Sequence, residues 1–301
     1  MRDDRQPFLR RFARHKGAVA GAVVLLLLAA ASLAAPLVEA ALGVDANAVN
    51  ILATYAPPSA QHPLGTDDLG RDVLVRLLYG GRVSLAVGLV GALAAALIGT
   101  AIGVPAGYFG GRLDAALMRL TDGVIALPLL PLLIVLAAAD PAKLGLPPDL
   151  ARHPALDLGR ISLIIALVGW TTAARLSRGA TLAVKQREFV LAAVALGAGP
   201  GRIMARHLLP NVVSPVIVAA TLSIGNVILL ESALSFLGLG IQPPLPSWGN
   251  MLTNALETVW AAPALAFWPG FLILLTVVSV NMVGDGLQDA LDPRREAGWR
   301  V

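Results

Sequence analysis

The chain has 301 residues, 56% of them apolar and 14% charged, and its mean hydropathy is +0.74. That charge is too little to clothe a water-soluble surface, for which about 25% is usual, and such an apolar chain is not disordered. The absence of Cys excludes a disulfide framework, Cys-ligated zinc, iron–sulfur clusters and thiol catalysis, and a net charge of +4 spread without a basic face excludes nucleic acid as a partner.

Charge-free runs occupy residues 17–38, 83–111, 123–139, 161–174, 207–230, 232–256 and 258–284. A helix needs about 20 apolar residues to cross a bilayer. The first run follows Arg10, Arg11, Arg14 and Lys16 and has 22 residues, more than the roughly 7–15 of a signal-peptide core, so it reads as a retained anchor. Gly88, Gly91, Gly99, Gly103 and Gly107 give the second run a face of small residues on which another helix can pack closely. The third carries Pro128 and Pro131, and Arg119 and Asp122 at its inner end read as snorkelling or paired. The fourth extends to Ser177 with Arg175 snorkelling. Pro105, Pro128, Pro131, Pro215 and Pro269 are expected to bend their helices. The run 232–256 fails as a span, because Gly238, Gly240, Pro243, Pro244, Pro246 and Gly249 cannot sustain a lipid-exposed helix. It reads as a turn-rich loop over 240–247 and a short interfacial helix over 248–257.

Six transmembrane helices result. Residues 1–16 form a basic N-terminus, 17–38 the first span, 39–82 a loop with a short helix, 83–289 a five-helix core and 290–301 a tail. Of the 23 Lys and Arg, 17 fall in 1–16, 109–120, 175–206 and 285–301, and 6 in 39–82, 140–160 and 240–263. The positive-inside rule therefore puts both termini in the cytoplasm.

In 39–82, His62, Asp67, Asp68 and Asp72 read either as metal ligands or, by better-matched spacing, as a loop in which Thr66, Asp67 or Asp68 caps a helix running toward Arg82. In 179–209, a helix-forming stretch ends at Gly197, a fit residue for a left-handed helix stop. Pro200 opens a second short helix, and Pro210 precedes the next span. Phe189, Val190, Leu191, Leu196, Ile203 and Met204 are too apolar for a free loop, and an apolar elbow rimmed by Arg202 and Arg206 wants a partner. Polar residues within spans are candidates for a path through the membrane, since lipid rejects them. Asn226 and Glu231 are the late pair in the fifth span, where Glu231 can line a path, cap a helix or pair with an Arg. Asn281 and Asp285 read as a hydrogen-bond network, Thr171 and Thr172 as bonded to their own helix, and Trp170, Trp248, Trp260 and Trp268 as interface anchors.

The loop resembles the cytoplasmic loop of ABC importer permeases, Glu-Ala-Ala, three residues, Gly, nine residues, Ile, one residue, Leu-Pro. Ala192, Ala193, Gly197, Leu209 and Pro210 fall in register, with Leu191 in place of Glu and His207 in place of Ile. His62-Pro-Leu-Gly-Thr-Asp-Asp-Leu-Gly-Arg-Asp72, Glu231-Ser-Ala-Leu-Ser-Phe-Leu-Gly-Leu-Gly240, Pro243-Pro-Leu-Pro-Ser-Trp-Gly-Asn-Met-Leu252, Gly284-Asp-Gly-Leu287 and Asp292-Pro-Arg294 resemble the dipeptide/oligopeptide/nickel subfamily, C-type subunit. The resemblance spans most of residues 8–295.

It implies an all-α integral membrane protein of type I importer architecture, without a catalytic site. A second permease completes the translocation path, two ABC ATPase subunits bind ATP and Mg and dock on Leu191, Ala192, Ala193, Gly197, Arg202, Ile203, Arg206, Leu209 and Pro210, and an extracytoplasmic binding protein delivers the cargo. Peptide is the leading cargo, with nickel and glutathione-like solutes as alternatives. The chain carries no phosphate-binding Gly-x-x-x-x-Gly-Lys-Ser/Thr loop, and no cofactor is expected in it. A secondary transporter would need a midplane charge and paired broken helices, and a membrane enzyme a cluster of His or carboxylates.

Overall fold

In the computed structural model of the chain, residues 8–139, 147 and 154–291 are described. The N-terminal seven residues, most of the segment 140–153 and the tail from 292, with its Asp292-Pro-Arg294 motif, lie outside them. The described chain is helical, apart from loops and one isolated bridge between Thr66 and Asp72.

A short helix α1 (Phe8–Arg14) precedes α2 (Lys16–Leu33), which starts where the His15 ring accepts a hydrogen bond from Ala18 N. The expected span 17–38 stops earlier: the chain turns at Ala34 into α3 (Ala35–Leu42), with Pro36 in its first turn. The long helix α4 (Val73–Phe109) begins ten residues before the charge-free run, because Asp72 caps it by accepting from Val75 N at 2.7 Å. Neither Thr66, Asp67 nor Asp68 is the cap. Asp67 accepts instead from Leu69 N, Arg71 N and Arg71 Nε, and so shapes the loop before the cap. No metal-binding group of three acidic or His side chains occurs among the described residues.

The expected third span is broken. Helix α5 (Gly111–Ala126) and helix α6 (Leu129–Ala137) meet at 87°. Pro128 has no N–H to donate and drives Leu127 into extended backbone at ψ 139°, which ends α5. Pro131 falls in the first turn of α6, where a missing N–H costs nothing, whereas Pro105, Pro215 and Pro269 lie inside helices that continue past them. Helix α7 (Pro154–Val184) packs along α4 and runs parallel to it. After the elbow described below, α10 (Leu209–Phe236) crosses beside α4, and α12 (Pro263–Leu291) packs between α2 and α10. Among the described residues, five helices are long and apolar enough to cross a membrane, six when the bent pair counts as one. Leu26 and Leu97 project from them, exposed, as lipid-facing residues do.

The seam between α4 and α7 explains the glycines. A Cβ at Gly99 would stand 2.5 Å from the Trp170 carbonyl oxygen, and one at Gly107 2.8 Å from that of Arg178; at Gly103 it would collide with Ser177 Oγ. The three lie four residues apart on one face, so two backbones meet with no side chain between them.

The segment 237–258 does not form one continuous helix over 248–257. It forms a 3-10 turn (Asn250–Leu252) and a single-turn helix α11 (Ala255–Thr258), separated at Asn254 by a left-handed backbone at φ +67°. Trp248 is buried, not an interface anchor. Its ring N–H donates to the Leu77 carbonyl at 2.9 Å, its main-chain N–H to Ser84 Oγ. Trp170 is buried as well, while Trp260 is exposed.

Candidate functional site

After Val184 the chain leaves α7 through Lys185, Gln186 and Arg187 into helix α8 (Glu188–Ala195). Glu188 sits in its first turn, where the helix dipole favours an acid. The stop is built on Gly197. Its φ is +79°, its N–H donates to Val194 O at 2.9 Å, and Ala198 N donates to Ala193 O at 3.0 Å. These two bonds form the paired 5→2 and 6→1 closure that satisfies the last carbonyls of a helix, and it needs a residue at ease with positive φ.

Gly199 then caps helix α9 (Pro200–Ile203), with Pro200 at its first position. α9 does not end in a turn before the next span. It runs through a π-helical turn, Met204–Leu208, straight into α10. Pro210 supplies the cause: without an N–H it leaves carbonyls of the preceding turn unclaimed, and the helix widens there. Asn211 Nδ2 donates back to His207 O at 2.7 Å. The wide turn brings Ile203 and Leu208, five residues apart, into one cluster.

That cluster is the joint of the elbow. Val190, Ile203 and Leu208 are fully buried together, with Tyr108, Val184, Ala198 and Met204 around them. Each such side chain withdrawn from water contributes about 1.5–3 kcal/mol. Lys185 ties the joint to the end of α4, donating from Nζ to Gly107 O at 2.9 Å and Tyr108 O at 3.4 Å. Arg178 ties α7 to α5 through a bidentate pair with Asp114, at 2.5 and 2.6 Å.

The other side of the elbow is bare. Leu196 is 88% exposed and Leu191 56%, with Phe189 and Val194 also exposed beside them. A shallow groove between α8 and the end of α4 is lined by Tyr108, Phe109, Leu191 and Pro200. Charged side chains rim this apolar surface, among them Arg187, Glu188, Arg202 and Arg206, all exposed. An apolar face with a charged rim, on a short helix held rigidly from behind, is a surface made for another protein.

The residues singled out from sequence thus divide. Leu191, Ala192, Arg202, Arg206, Leu209 and Pro210 are exposed and Ala193 half-buried, while Ile203 is the anchor beneath. Tyr108, Phe109 and Lys185 were missed. Tyr108 and Phe109 are the sole aromatic residues of the run 83–111, and their place beside Gly110 was the available signal. Of the path candidates, Asn226 is exposed on α10 and Glu231 is fully buried. Glu231 accepts from Ser235 Oγ at 2.7 Å and from Ser84 Oγ at 3.3 Å, tying α4 to α10, and Ser235 Oγ in turn accepts from Ile241 N of the loop after α10 at 3.1 Å. Asn281 and Asp285 are exposed on α12. Arg175 does not snorkel alone but pairs with Asp122 at 2.6 Å.

A bundle of helices apolar enough to cross a membrane, bearing at one end a rigid elbow with an uncovered apolar face, defines a multi-pass membrane protein with a surface for a partner. Comparison with known proteins narrows the class. Residues 99–297 match the family "binding-protein-dependent transport system inner membrane component", and residues 5–61 the "N-terminal TM domain of oligopeptide transport permease C". The dipeptide transport system permease protein DppC of Alkalihalophilus pseudofirmus is 39% identical over 288 residues, 96% of this chain and 89% of its own. DppC of Bacillus subtilis is 40% identical over 287 residues, 95% and 84%. The glutathione transport system permease protein GsiD of Pectobacterium atrosepticum is 40% identical over 290 residues, 95% and 90%. The chain belongs to the binding-protein-dependent inner-membrane permease family, within its dipeptide and oligopeptide C-type branch.

Proposed function

We propose that this chain is one of two permease subunits of an ATP-driven importer of peptides, with both termini in the cytoplasm. A second permease completes the path, two ABC ATPase subunits bind ATP and Mg and hydrolyse the nucleotide, and an extracytoplasmic binding protein delivers the cargo. The observation that carries the reading is the uncovered apolar face of α8, held at a fixed angle by Gly197 and braced from behind by Val190, Ile203 and Leu208. An ATPase seated on Leu191 and Leu196 would pull on a body that cannot flex locally. α8 is joined to α4 through Lys185, and α9 is one continuous helical path with α10. Closure of the ATPases is therefore passed to the spans as rigid-body motion.

The glutathione relative favours including a modified tripeptide among the cargoes. Two assays test the reading. Reporter fusions at Ala60 and Arg300 should give opposite signals. Proteoliposomes holding both permeases and both ATPases should take up labelled dipeptide only with ATP and the binding protein present. Equal reporter signals, or ATP hydrolysis by this chain alone, would overturn it.

A further inference from the structure

Asp122 on α5 and Arg175 on α7 form an ion pair at 2.6 Å whose side chains are 55% and 51% exposed on the outside of the chain. Its depth is unusual. α4 is free of charge from Val83 to Phe109, 27 residues or about 40 Å of helix. A Cβ at Gly99 would touch Ala173 and Ala174, and one at Gly103 would touch Ala174, Ser177 and the Arg178 main chain. Arg175 therefore stands level with the middle of 99–103, about 12 Å in from Phe109. A hydrocarbon core of about 30 Å centred on this stretch contains it. Lipid at that level would have to solvate two half-exposed charges, which is costly, and intramembrane charges are found facing protein or water instead.

A second observation points the same way. The break at Leu127–Pro128 leaves the end of α5 and the start of α6 exposed, with Ile125, Leu127, Leu129 and Leu130 on the surface. Helix ends carry main-chain groups without intrahelical partners, and such backbone occurs at membrane depth only against protein or a water-filled cavity. Beside the pair, Arg119 and Thr172 are exposed, and Gly123 and Gly179 leave open space. Around the pair this strip is polar and roomy, although Leu120 and Leu176 are also exposed near it, whereas the exposed side of α4 shows Leu93 and Leu97.

We infer that the α5–α7 face lines the aqueous translocation path, and that Asp122 and Arg175 receive a zwitterionic peptide by its termini. The carboxylate of Asp122 accepts from the cargo's α-ammonium, and the guanidinium of Arg175 donates to its α-carboxylate as a planar fork. Without cargo the two groups neutralise each other, so the path carries no net charge at this point. This inference rests on the peptide-permease reading above.

The chain has no Cys, which permits a direct test in the assembled importer. Arg119→Cys and Thr172→Cys should react with a charged, water-soluble methanethiosulfonate reagent, and Leu97→Cys should not. Asp122→Asn and Arg175→Gln should each lower ATP-driven uptake of a free dipeptide at least tenfold with the ATPases still bound, and the exchanged pair Asp122→Arg with Arg175→Asp should recover part of it. Absence of labelling at both sites would place the face against lipid or a dry subunit contact and overturn the inference. So would labelling combined with normal uptake by both neutralised variants. Failure of the unaltered complex to transport any peptide, with labelling intact, would overturn the peptide assignment and the cargo role of the pair but leave its aqueous placement standing.

Discussion

Lys185 donates from Nζ to the carbonyl oxygen of Gly107 at 2.9 Å, so the last turn of α4 is capped by the residue that leads into the elbow. One ammonium thereby satisfies carbonyls of a helix 78 residues earlier in the chain. Lys185→Met keeps the stem and removes the donors. It should cost about 1.5–3 kcal/mol, the range for a hydrogen bond to a charged group, and lower coupling of ATP hydrolysis to uptake. Uptake per ATP hydrolysed in proteoliposomes measures this, and an unchanged ratio would show that the end of α4 takes no part.

Gly197 is held at φ +79°. A β-branched side chain in that conformation costs about 1–2 kcal/mol or more. Gly197→Val should leave membrane abundance normal, since the spans lie elsewhere, but misplace α8 and weaken retention of the ATPases on co-purification. Gly43 is unsuitable as a neutral control, because it too has a positive φ, +66°, at the end of α3. Gly201→Ala in α9, with open space at its Cβ and no positive φ, should be silent.

At the α4–α7 seam the outcome is different. Gly103→Val would force a branched side chain into the Ser177 hydroxyl and the Ala174 carbonyl. Overpacking of this kind costs about 1–3 kcal/mol, and more where backbone cannot retreat. Thermal unfolding in detergent should fall by several degrees, with reduced abundance, in contrast to the elbow variants.

Glu231 should act as a structural tie of the loop that follows α10. Glu231→Ala deletes the acceptor for Ser84 and Ser235 and leaves buried hydroxyls unsatisfied, at about 1–3 kcal/mol each. Limited proteolysis should then cut within 237–254, whereas Glu231→Gln, which keeps an acceptor oxygen, should stay nearly resistant.

The parts legible in the sequence were those written in local chemistry. The stop at Gly197 and the start at Pro200 each depend on a few adjacent residues and stand where the pattern placed them, while the charge-free runs mark the long helices but not their bounds. Long-range pairing was not legible. Arg175 looked like a snorkelling residue until α5 brought Asp122 within 2.6 Å across 53 positions. The bond from Ser84 to Glu231, 147 positions apart, was likewise beyond any spacing rule, which left Glu231 open between lining a path, capping a helix and pairing with an Arg. The cap of α4 was missed by a few residues because four neighbouring side chains could all have served, and only Asp72 reaches Val75 N.

The central claim is that the bare apolar face of α8 seats the ATPases. Replacing Leu191 and Leu196 together by Glu puts two charges on that face without touching the buried anchors Val190 and Ile203. The measurement is the amount of ATPase retained by the purified permease pair, read alongside ATP-driven dipeptide uptake. The account predicts unchanged permease abundance and thermal stability, with most of the ATPase lost and uptake abolished. Retention of the ATPase at the unaltered level, with normal uptake, would contradict it.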